Sequence, residues 1–445
     1  MEFWSISPPI PTFLLPLPDM HHFHYRNGQL HCEERNLQSV AEEHGTPLYV
    51  YSANTVRDHY RRLDAALAGL DHHIAYAVKA NSNLSVLGLL GDLGSGFDIV
   101  SGGELFRVIK AGGDPRLCSF AGVGKTAHEI KFALEHKIYC FNIESVAELD
   151  LLNEVAGSMR VVAPIAVRIN PNVDAKTHEY ISTGKAENKF GVDYLAAEEV
   201  YQHASTLPHI LVRGVQMHIG SQLTTVDPFV EAVERVVPLV AELKARHNIE
   251  FFSIGGGIGI VYDRALASGQ SEWWEQQAEP PLSPEIYATE LVPRLTPLGL
   301  KILLEPGRYM VGNAGVLLTT CLYEKKGHVK NFKVVDAGMS DLIRPALYQG
   351  HHEIVPVRES AGDSQIKADV VGPICESGDF FCQDRDLADF HADDVVAIMS
   401  AGAYSFTMAS NYNSRPMPAE VLIDGAEART VRRRQTLDDL IALEL

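Results

Sequence analysis

Apolar residues between positions 47 and 310 fall into short runs that are separated by longer stretches with helical spacing. The runs are rich in β-branched and aromatic residues and predict strands, whereas the stretches between them predict amphipathic helices. Strands that alternate with helices pair in parallel, because a parallel neighbour needs a crossover connection. We take the first run, at 46–51, as a lead-in. Eight strands are then predicted, at 74–78, 97–100, 117–121, 138–143, 165–169, 212–219, 251–255 and 301–305.

Eight parallel strand–helix units over about 250 residues are typical of a (β/α)8 barrel. After residue 311 the pattern changes to strand-like runs separated by Gly, Asp and Asn, which predicts a β-sandwich or β-barrel domain. The segment before the barrel carries Asn27-Gly28, a hairpin signal, and is expected to join this β domain. The predicted organisation is a flexible leader (1–20), an N-terminal segment of the β domain (21–46), the barrel (47–310) and the C-terminal β domain (311–445).

The chain has 445 residues and a formal net charge of −19, which argues against nonspecific binding of nucleic acid or of an anionic membrane. The sequence has no apolar run of the roughly 18 residues that a membrane helix needs. The apolar leader lacks Lys and Arg, so it does not resemble a signal peptide, and Met20 is an alternative start. Six cysteines without a C-x-x-C pair indicate reduced thiols and a cytoplasmic protein.

Polar residues stand at the ends of several predicted barrel strands, at the face where barrels of this kind carry their chemistry. Each has an ordinary structural explanation when it is taken alone, such as a lysine at the barrel mouth or glycines in a tight turn. Together they form a set with one lysine, one imidazole, bare backbone amides, one carboxylate and one guanidinium. The set comprises Lys79, His218, Gly255, Gly256, Gly257, Glu305 and Arg308.

This set predicts a site for pyridoxal 5'-phosphate. A desolvated lysine with a lowered pKa forms Schiff bases, and glycine amides that carry no side chain cradle a phosphate. A carboxylate such as Glu305 pairs with a protonated ring nitrogen, and an imidazole such as His218 lies flat on an aromatic ring. These four parts are what this cofactor requires of a protein.

Two further patterns resemble a nucleotide-binding loop and metal-binding histidines, but neither has the spacing that such a site requires. Residues 119–126 read SFAGVGKT, close to a phosphate-binding loop, but Ser119 replaces the required glycine and the loop follows the third barrel strand. Histidines at 21, 22 and 24, at 72 and 73, and at 351 and 352 have no carboxylate or cysteine at a ligand spacing. We therefore predict neither a nucleotide site nor a metal site, and we interpret these histidines as surface and loop residues.

Long motifs along the chain resemble those of the diaminopimelate decarboxylases, which are fold-type III pyridoxal-phosphate decarboxylases related to ornithine and arginine decarboxylases. The resemblance covers roughly residues 30 to 445 and includes the stretch INPNVDAKTHEYISTGKAENKFG. In chain order, the other motifs are AVKAN, HIGSQ, GGGIGI, EPGR, DAGMSDLIRPALY, GPICESGDFF and GAYSFTMASNYNSRPMPAEVL.

The resemblance implies roles for individual residues. Lys79 would hold the cofactor covalently and His218 would stack on its ring, while Glu305 would pair with the ring nitrogen. The distal end of the substrate would be held by Arg308, Arg344, Tyr348 and Glu376, and Cys375 would be the proton donor. Tyr404 would touch both cofactor and substrate. The implied cofactor contacts are completed by Ser221, Gly255, Gly256, Gly257, Pro306, Gly307 and Arg308.

In the family the loop carrying Cys375 and Glu376 comes from a second subunit, so the resemblance also implies a homodimer with shared active sites. The implied reaction is decarboxylation of meso-diaminopimelate to L-lysine, the last step of lysine biosynthesis. A thiol with an ordinary pKa of about 8.5 is mostly protonated at neutral pH and can supply the proton that the reaction requires.

Charge favours this substrate, because a planar guanidinium such as that of Arg344 binds a carboxylate through two hydrogen bonds. Glu376, where the ornithine branch typically has Asp, points the same way. The main alternative is a decarboxylase acting on ornithine, arginine or carboxynorspermidine. A catalytically silent pyridoxal-binding partner is a third possibility, but it would be expected to have lost Lys79 or Cys375.

Overall fold

The structure is a computed structural model that describes residues 19–174, 183, 189–359 and 365–444. Most of the predicted leader, and part of the family-like stretch after Asn170, lie outside the described residues. The described chain begins with a small antiparallel sheet and a helix. In chain order these elements are β1 (Phe23–Arg26), β2 (Gln29–Cys32), β3 (Arg35–Asn36), α1 (Leu37–His44) and β4 (Leu48–Ser52).

The predicted hairpin is confirmed, because β1 and β2 pair antiparallel around Asn27 and Gly28. Both turn residues have positive φ, 53° and 72°, as a two-residue turn with the twist of the flanking strands requires. The hairpin forms its own three-stranded sheet with β3, and its apolar face packs on the β domain in one buried cluster. The N-terminal segment therefore covers the C-terminal sheet, and it is connected to the β domain by a bridge between Gln29 and Arg358 and by further hydrogen bonds, such as that from the N–H of Leu30 to the carbonyl oxygen of Val357.

Eight parallel strands close into a barrel, as the sequence predicts. The last strand pairs with the first, Leu304 opposite Ile74, and the fourth pairs with the fifth, Phe141 opposite Ile165, so the sheet has no open edge. A short strand, β10 (Val192–Asp193), extends the fifth strand at its carboxyl end. The barrel strands are β5 (His72–Ala77), β6 (Gly96–Ile99), β7 (Cys118–Phe120), β8 (Cys140–Ile143), β9 (Ala163–Asn170), β11 (Ile210–Gln216), β12 (Phe251–Ser253) and β13 (Lys301–Leu304).

Helices surround the barrel, and several of them begin at side-chain caps that the sequence supplies. Ser101, Thr126 and Ser145 each accept a hydrogen bond from a backbone N–H in the first turn of the following helix, which satisfies a donor that has no partner inside the helix. The helices are α2 (Ala53–Ala66), α3 (Leu84–Asp92), α4 (Gly102–Lys110), α5 (Ala127–Glu135), α6 (Val146–Met159), α7 (Ala197–Thr206), α8 (Asp227–His247), α9 (Ser271–Glu275), α10 (Pro284–Leu295) and α11 (Arg308–Val311).

The β domain is built around one long strand that takes part in two sheets. The first half of this strand pairs with β4 and with a strand near residue 396, and its second half pairs with the strand that follows it. The elements of the domain are β14 (Gly315–Lys326), β15 (Asn331–Val335), α12 (Arg344–Tyr348), β16 (Ile354–Pro356), β17 (Gln365–Val371), β18 (Phe380–Ala388), β19 (Val395–Ile398), β20 (Ala419–Asp424), β21 (Glu427–Arg432) and α13 (Leu437–Ile441).

Strand β4 belongs to the β domain, although the sequence placed it at the start of the barrel as a lead-in. It lies between β14 and β20, antiparallel to the first and parallel to the second. Leu48 and Val50 face the N-terminal segment, whereas Tyr49 and Tyr51 face the second sheet. Because both faces of this strand are covered, all five of its residues are buried. Its sequence is therefore a continuous apolar run, which is also the pattern of a barrel strand.

None of the helices that the structure describes combines the length and the apolar character needed to cross a membrane.

Candidate active site

A cavity of about 460 Å³ opens at the carboxyl ends of the barrel strands. Nearly all of its lining comes from strand ends and from the loops that follow them, and Tyr404 reaches it from the β domain. Eight of the residues predicted for the site line this cavity, so the lysine and the carboxylate that the prediction depends on lie at the same end of the barrel. The lining residues are Ala77, Lys79, Asp98, Ala121, Arg168, Gln216, His218, Ser221, Gly257, Ile258, Glu305, Gly307, Arg308 and Tyr404.

Lys79 follows the first barrel strand, and its ammonium group donates a hydrogen bond to Asp98 Oδ2 at 2.5 Å. Burial disfavours the charged amine, but the Asp98 carboxylate outweighs this effect, so the pKa of Lys79 lies above its usual value. The expectation of a lowered lysine pKa from desolvation alone is therefore wrong for this site. Asp98 keeps the amine charged and fixes its position on the cavity wall.

Glu305 lies at the end of the last barrel strand and is almost fully buried, with 6% of its surface exposed. Ser253 Oγ donates to one carboxylate oxygen at 2.7 Å, and Gln216 Nε2 donates to the other at 2.9 Å. Burial and the nearby Asp98 carboxylate raise the pKa of Glu305 to about 7, against the lowering effect of these two donors. A cation placed against Glu305 would favour its ionised form.

His218 follows the sixth barrel strand and lines the cavity together with the cationic side chains of Arg168 and Lys79. Burial, Arg168 and Lys79 hold the pKa of His218 well below its ordinary value, so the ring is neutral at physiological pH. Its Nδ1 accepts a hydrogen bond from the backbone N–H of Gly256 at 3.2 Å, which orients the ring. A neutral imidazole held in this way can pack flat against an aromatic ligand without adding charge.

The three glycines after the seventh barrel strand have different roles. The N–H of Gly256 binds His218, and the N–H of Gly255 donates to Ser253 Oγ at 3.3 Å, while Gly257 lines the cavity. A side chain at Gly256 would place its Cβ 2.2 Å from the carbonyl oxygen of Glu305. Glycine is therefore required here because two neighbouring strand ends approach each other closely, and Gly257 is the residue of the three that faces a ligand.

Arg308 opens the short helix α11, and its guanidinium connects both sides of the cavity. It donates to Ser221 Oγ at 3.0 Å and to the hydroxyl of Tyr262 at 2.6 Å, and it lies over the ring of Tyr404 at 4.8 Å. Its Nε is buried and has no hydrogen-bond partner within the described residues. A buried donor of this kind is costly unless a ligand supplies an acceptor.

The four remaining side chains predicted for the substrate lie outside this lining. Arg344 is buried behind Tyr262, with its guanidinium 4.4 Å from the centre of that ring, and Tyr348 ends the same short helix. Cys375 and Glu376 are exposed at the surface of the β domain. One chain thus brings together the predicted cofactor residues but leaves the predicted proton donor outside the cavity.

The lysine of the GVGKT loop is held inside the protein by its own contacts. Lys125 is buried, and its Nζ donates to Glu148 and to two backbone carbonyls at 2.6–2.8 Å, so its charge is already neutralised. Glu148 accepts from the N–H of Glu144 at 2.9 Å, and Glu144 in turn pairs with Arg168 at 3.1 Å. This buried network reaches the cavity wall through Arg168, so the loop supports the site.

Sequence reasoning missed four polar residues of the site: Asp98, Arg168, Gln216 and Ser253. Each stands within an apolar barrel strand, where a polar side chain must find a buried partner. That signal was available for Asp98, which the pattern places in the second strand. Which partner each residue finds depends on the closure of the barrel, and the pattern along the chain does not show it.

A second group of potential metal ligands, Glu324, Asp389 and His391, lies in the β domain away from the cavity. The Nζ atom of Lys333 stands among them, 2.8 Å from Glu324 and 2.9 Å from Asp389. Lys333 therefore already pairs with the two carboxylates of this group.

The cavity residues fit pyridoxal phosphate. Arg308, Ser221 and Gly257 line the same cavity, where a guanidinium, a hydroxyl and a backbone N–H are suitable donors for a phosphate group. Glu305 offers a buried carboxylate to a protonated ring nitrogen, and Lys79 offers the amine. The neutral ring of His218 completes the wall between them.

Comparison with known proteins gives the same result. The family model described as "Pyridoxal-dependent decarboxylase, pyridoxal binding domain" matches residues 53–312. The diaminopimelate decarboxylase of Vibrio cholerae is 49% identical over 428 residues, which are 96% of this chain and 99% of that protein. The diaminopimelate decarboxylase of Pseudomonas aeruginosa is 48% identical over 423 residues, which are 95% and 98% of the two chains.

Solved structures show the same similarity. The diaminopimelate decarboxylase of Helicobacter pylori complexed with L-lysine has a TM-score of 0.85 and 41% identity, covering 92% of this chain and 99% of that one. The diaminopimelate decarboxylase of M. jannaschii in co-complex with L-lysine has a TM-score of 0.88 and 35% identity, covering 96% and 99%.

Proposed function

The chain belongs to the diaminopimelate decarboxylases of the pyridoxal-dependent decarboxylase family, and from this premise we propose how its own residues perform the reaction. The protein is a carboxy-lyase that uses pyridoxal 5'-phosphate to convert meso-diaminopimelate into L-lysine and CO2. The observation that carries the proposal is the single cavity that Lys79, Glu305 and Arg308 share at the barrel mouth.

Lys79 would hold the cofactor, with Arg308, Ser221 and Gly257 at its phosphate and Glu305 at its ring nitrogen. When bound, the cofactor supplies an electron-accepting ring that takes up the electron pair left by the departing CO2. Glu305 would keep a proton on the ring nitrogen, and Ser253 and Gln216 hold its carboxylate in place. The neutral imidazole of His218, which lines the cavity, would pack on one face of the ring and exclude water from it.

Arg344 would bind the distal carboxylate of the substrate through its planar guanidinium. Tyr348 and Tyr404 would complete this end of the site, and Glu376 would hold the distal ammonium. The α-carbon that loses its carboxylate needs a proton, which the thiol of Cys375 would deliver.

Cys375 and Glu376 are exposed and belong to a surface loop of the β domain, which supports their contribution to the site of a second subunit. The N–H of Cys375 donates to Asn413 Oδ1 at 2.8 Å, and the hydroxyl of Tyr412 donates to Glu376 Oε2 at 3.3 Å. Because Tyr412 is also exposed, at 43%, the two loops form one surface that a partner can cover. We infer a homodimer with shared active sites that works in the cytoplasm.

The proposal is tested by CO2 release from meso-diaminopimelate, with and without added pyridoxal phosphate, beside ornithine, arginine and carboxynorspermidine. CO2 release is expected with meso-diaminopimelate and not with the other three compounds. Lys79→Ala should abolish both activity and the visible absorbance of bound cofactor, because no other amine faces Asp98 in the described cavity. Lys110→Ala, on an exposed helix face, is the matched control and should behave as the parent protein. Cofactor absorbance that persists in Lys79→Ala would remove that residue from its role.

A further inference from the structure

Arg344, the proposed anchor for the distal carboxylate, lies in a tightly packed setting. It opens the short helix α12, and only 6% of its surface is exposed. One face of the guanidinium covers the ring of Tyr262, and a Cβ added at Gly350 would lie 3.4 Å from its Nη2. Its Nη1 is 2.5 Å from Nε2 of His352, a residue with no exposed surface. The sequence grouped His352 with surface histidines, and that interpretation is wrong.

The hydrogen bonds of His352 define its tautomer. Nδ1 lies 2.8 Å from the carbonyl oxygen of Met399, which can only accept, so Nδ1 carries the hydrogen. Nε2 then carries the lone pair and accepts from Arg344. Burial and the charge of Arg344 hold the pKa of His352 well below its ordinary value, in agreement with a neutral ring.

Tyr262 connects this pair to the cofactor end of the site. Its ring edge meets His352 at a centroid distance of 5.2 Å and an interplanar angle of 78°, and its hydroxyl accepts from Arg308. Within the described residues, the Nε atoms of Arg344 and Arg308 are both buried without a hydrogen-bond partner. The two guanidinium groups therefore keep donors that the protein itself does not use.

We propose that His352 is a positioning residue that determines specificity, because it accepts one N–H of Arg344 and so directs the free donors of that guanidinium at the distal carboxylate of the substrate. The inference rests on the proposed function and deepens it. A bidentate contact requires a fixed guanidinium plane, and a single acceptor on one nitrogen provides it. His352 touches neither substrate nor cofactor in this arrangement and acts through Arg344.

Two substitutions separate the two hydrogen bonds of the ring. In His352→Asn, the side-chain amide can still donate to Met399 but is too short to reach Arg344. In His352→Gln, the longer side chain can place its oxygen near the position of Nε2 and restore the acceptor. The neighbouring His351→Ala is the matched control, since His351 is half-exposed and lies 3.7 Å from Asp263.

We expect His352→Asn to raise the KM for meso-diaminopimelate about 10- to 100-fold, the effect of losing a hydrogen bond to a charged group, with kcat changed much less. His352→Gln should recover most of this loss, and His351→Ala should match the parent protein. Binding of pyridoxal phosphate, followed by its visible absorbance, should be the same in all four proteins.

A pair of inhibitors distinguishes positioning from a general loss of structure. L-Lysine carries the carboxylate that Arg344 would bind, whereas 1,5-diaminopentane is the same chain without it. Inhibition by L-lysine should weaken about 10- to 100-fold in His352→Asn, and inhibition by 1,5-diaminopentane should not change. If both weaken by the same factor, or if His352→Gln loses as much as His352→Asn, the inference is overturned. A parent protein that releases no CO2 from meso-diaminopimelate would instead overturn the proposed function.

Discussion

Glu305 occupies a position that disfavours its own charge until a cation binds beside it. Its carboxylate is buried and close to Asp98, and the two donors Ser253 and Gln216 only partly compensate for the burial. In the proposed function, the same feature that destabilises the cofactor-free protein would favour binding of a protonated ring nitrogen. A perturbed pKa of this kind is typical of functional sites.

The pKa of Glu305 has a consequence for stability. In the cofactor-free protein the carboxyl holds its proton up to about pH 7, whereas in the unfolded chain it loses the proton at about 4.5. The folded state binds more protons over this range, so the free energy of unfolding should fall as pH rises from about 4.5 to 7, by up to about 3 kcal/mol. Glu305→Gln should remove that fall, as measured by urea unfolding of the cofactor-free proteins at the two ends of the range.

The exposed Glu272→Gln serves as the control and should keep the parent slope. An unchanged slope in Glu305→Gln would mean that Glu305 is already ionised below neutral pH.

The site residues that the sequence predicts are those at the ends of barrel strands. Lys79, His218, Glu305 and Arg308 follow apolar runs directly, so the strand prediction located them on one rim. Asp98 and Arg168 belong to the same wall, but their roles depend on pairing across neighbouring strands. His352 was misassigned because a pair of histidines in a loop sequence gives no sign that one of them is fully buried.

The sequence predicts the strands and the first hairpin correctly where the hydrophobic periodicity is regular. All eight barrel strands and the first hairpin are confirmed, because short apolar runs bounded by helices or by Asn-Gly have few other interpretations. Strand β4 was placed in the wrong domain because burial on both faces gives the same apolar run in either sheet. The pattern of the chain does not show that the GVGKT loop is connected to the barrel wall through Lys125, Glu148 and Arg168.

That network supports a prediction about the loop after β7. Replacing Lys125 by Met should lower the free energy of unfolding by about 3–5 kcal/mol, because it leaves Glu148 buried without its cation. The double substitution Lys125→Met and Glu148→Met should recover a large part of this loss, since it removes both charges together. Urea unfolding of the parent, the two single variants and the double variant measures the coupling between the two residues. Additive losses would contradict a buried ion pair.

A single chain brings the proposed cofactor residues together in one cavity but exposes Cys375 and Glu376 at its surface. The barrel and β domain follow from the pattern of the chain, whereas the arrangement of subunits comes only from family resemblance. The sequence of a surface loop does not show whether the loop contributes to the active site of its own chain or to that of a partner. The dimer therefore requires an experiment of its own.

Mixing two inactive variants tests it. Lys79→Ala and Cys375→Ala should each lack activity, and equal amounts that are dissociated and reassociated should regain about a quarter of the parent activity, because half of the dimers are hybrids with one intact site. CO2 release before and after reassociation is the measurement. Failure to regain activity, with hybrid dimers present, would place both residues in the site of a single chain.

The position of β4 also bears on how the protein is made. Its neighbours β14 and β20 begin at Gly315 and Ala419, and the whole barrel lies between β4 and these strands. A ribosome that adds about 5–20 residues per second needs roughly 20–70 s to travel from β4 to β20. During that time the barrel can fold as it emerges, while an apolar, strand-forming segment near the amino terminus waits without partners. Nascent chains stalled before β20 are therefore the species that chaperones would be expected to bind.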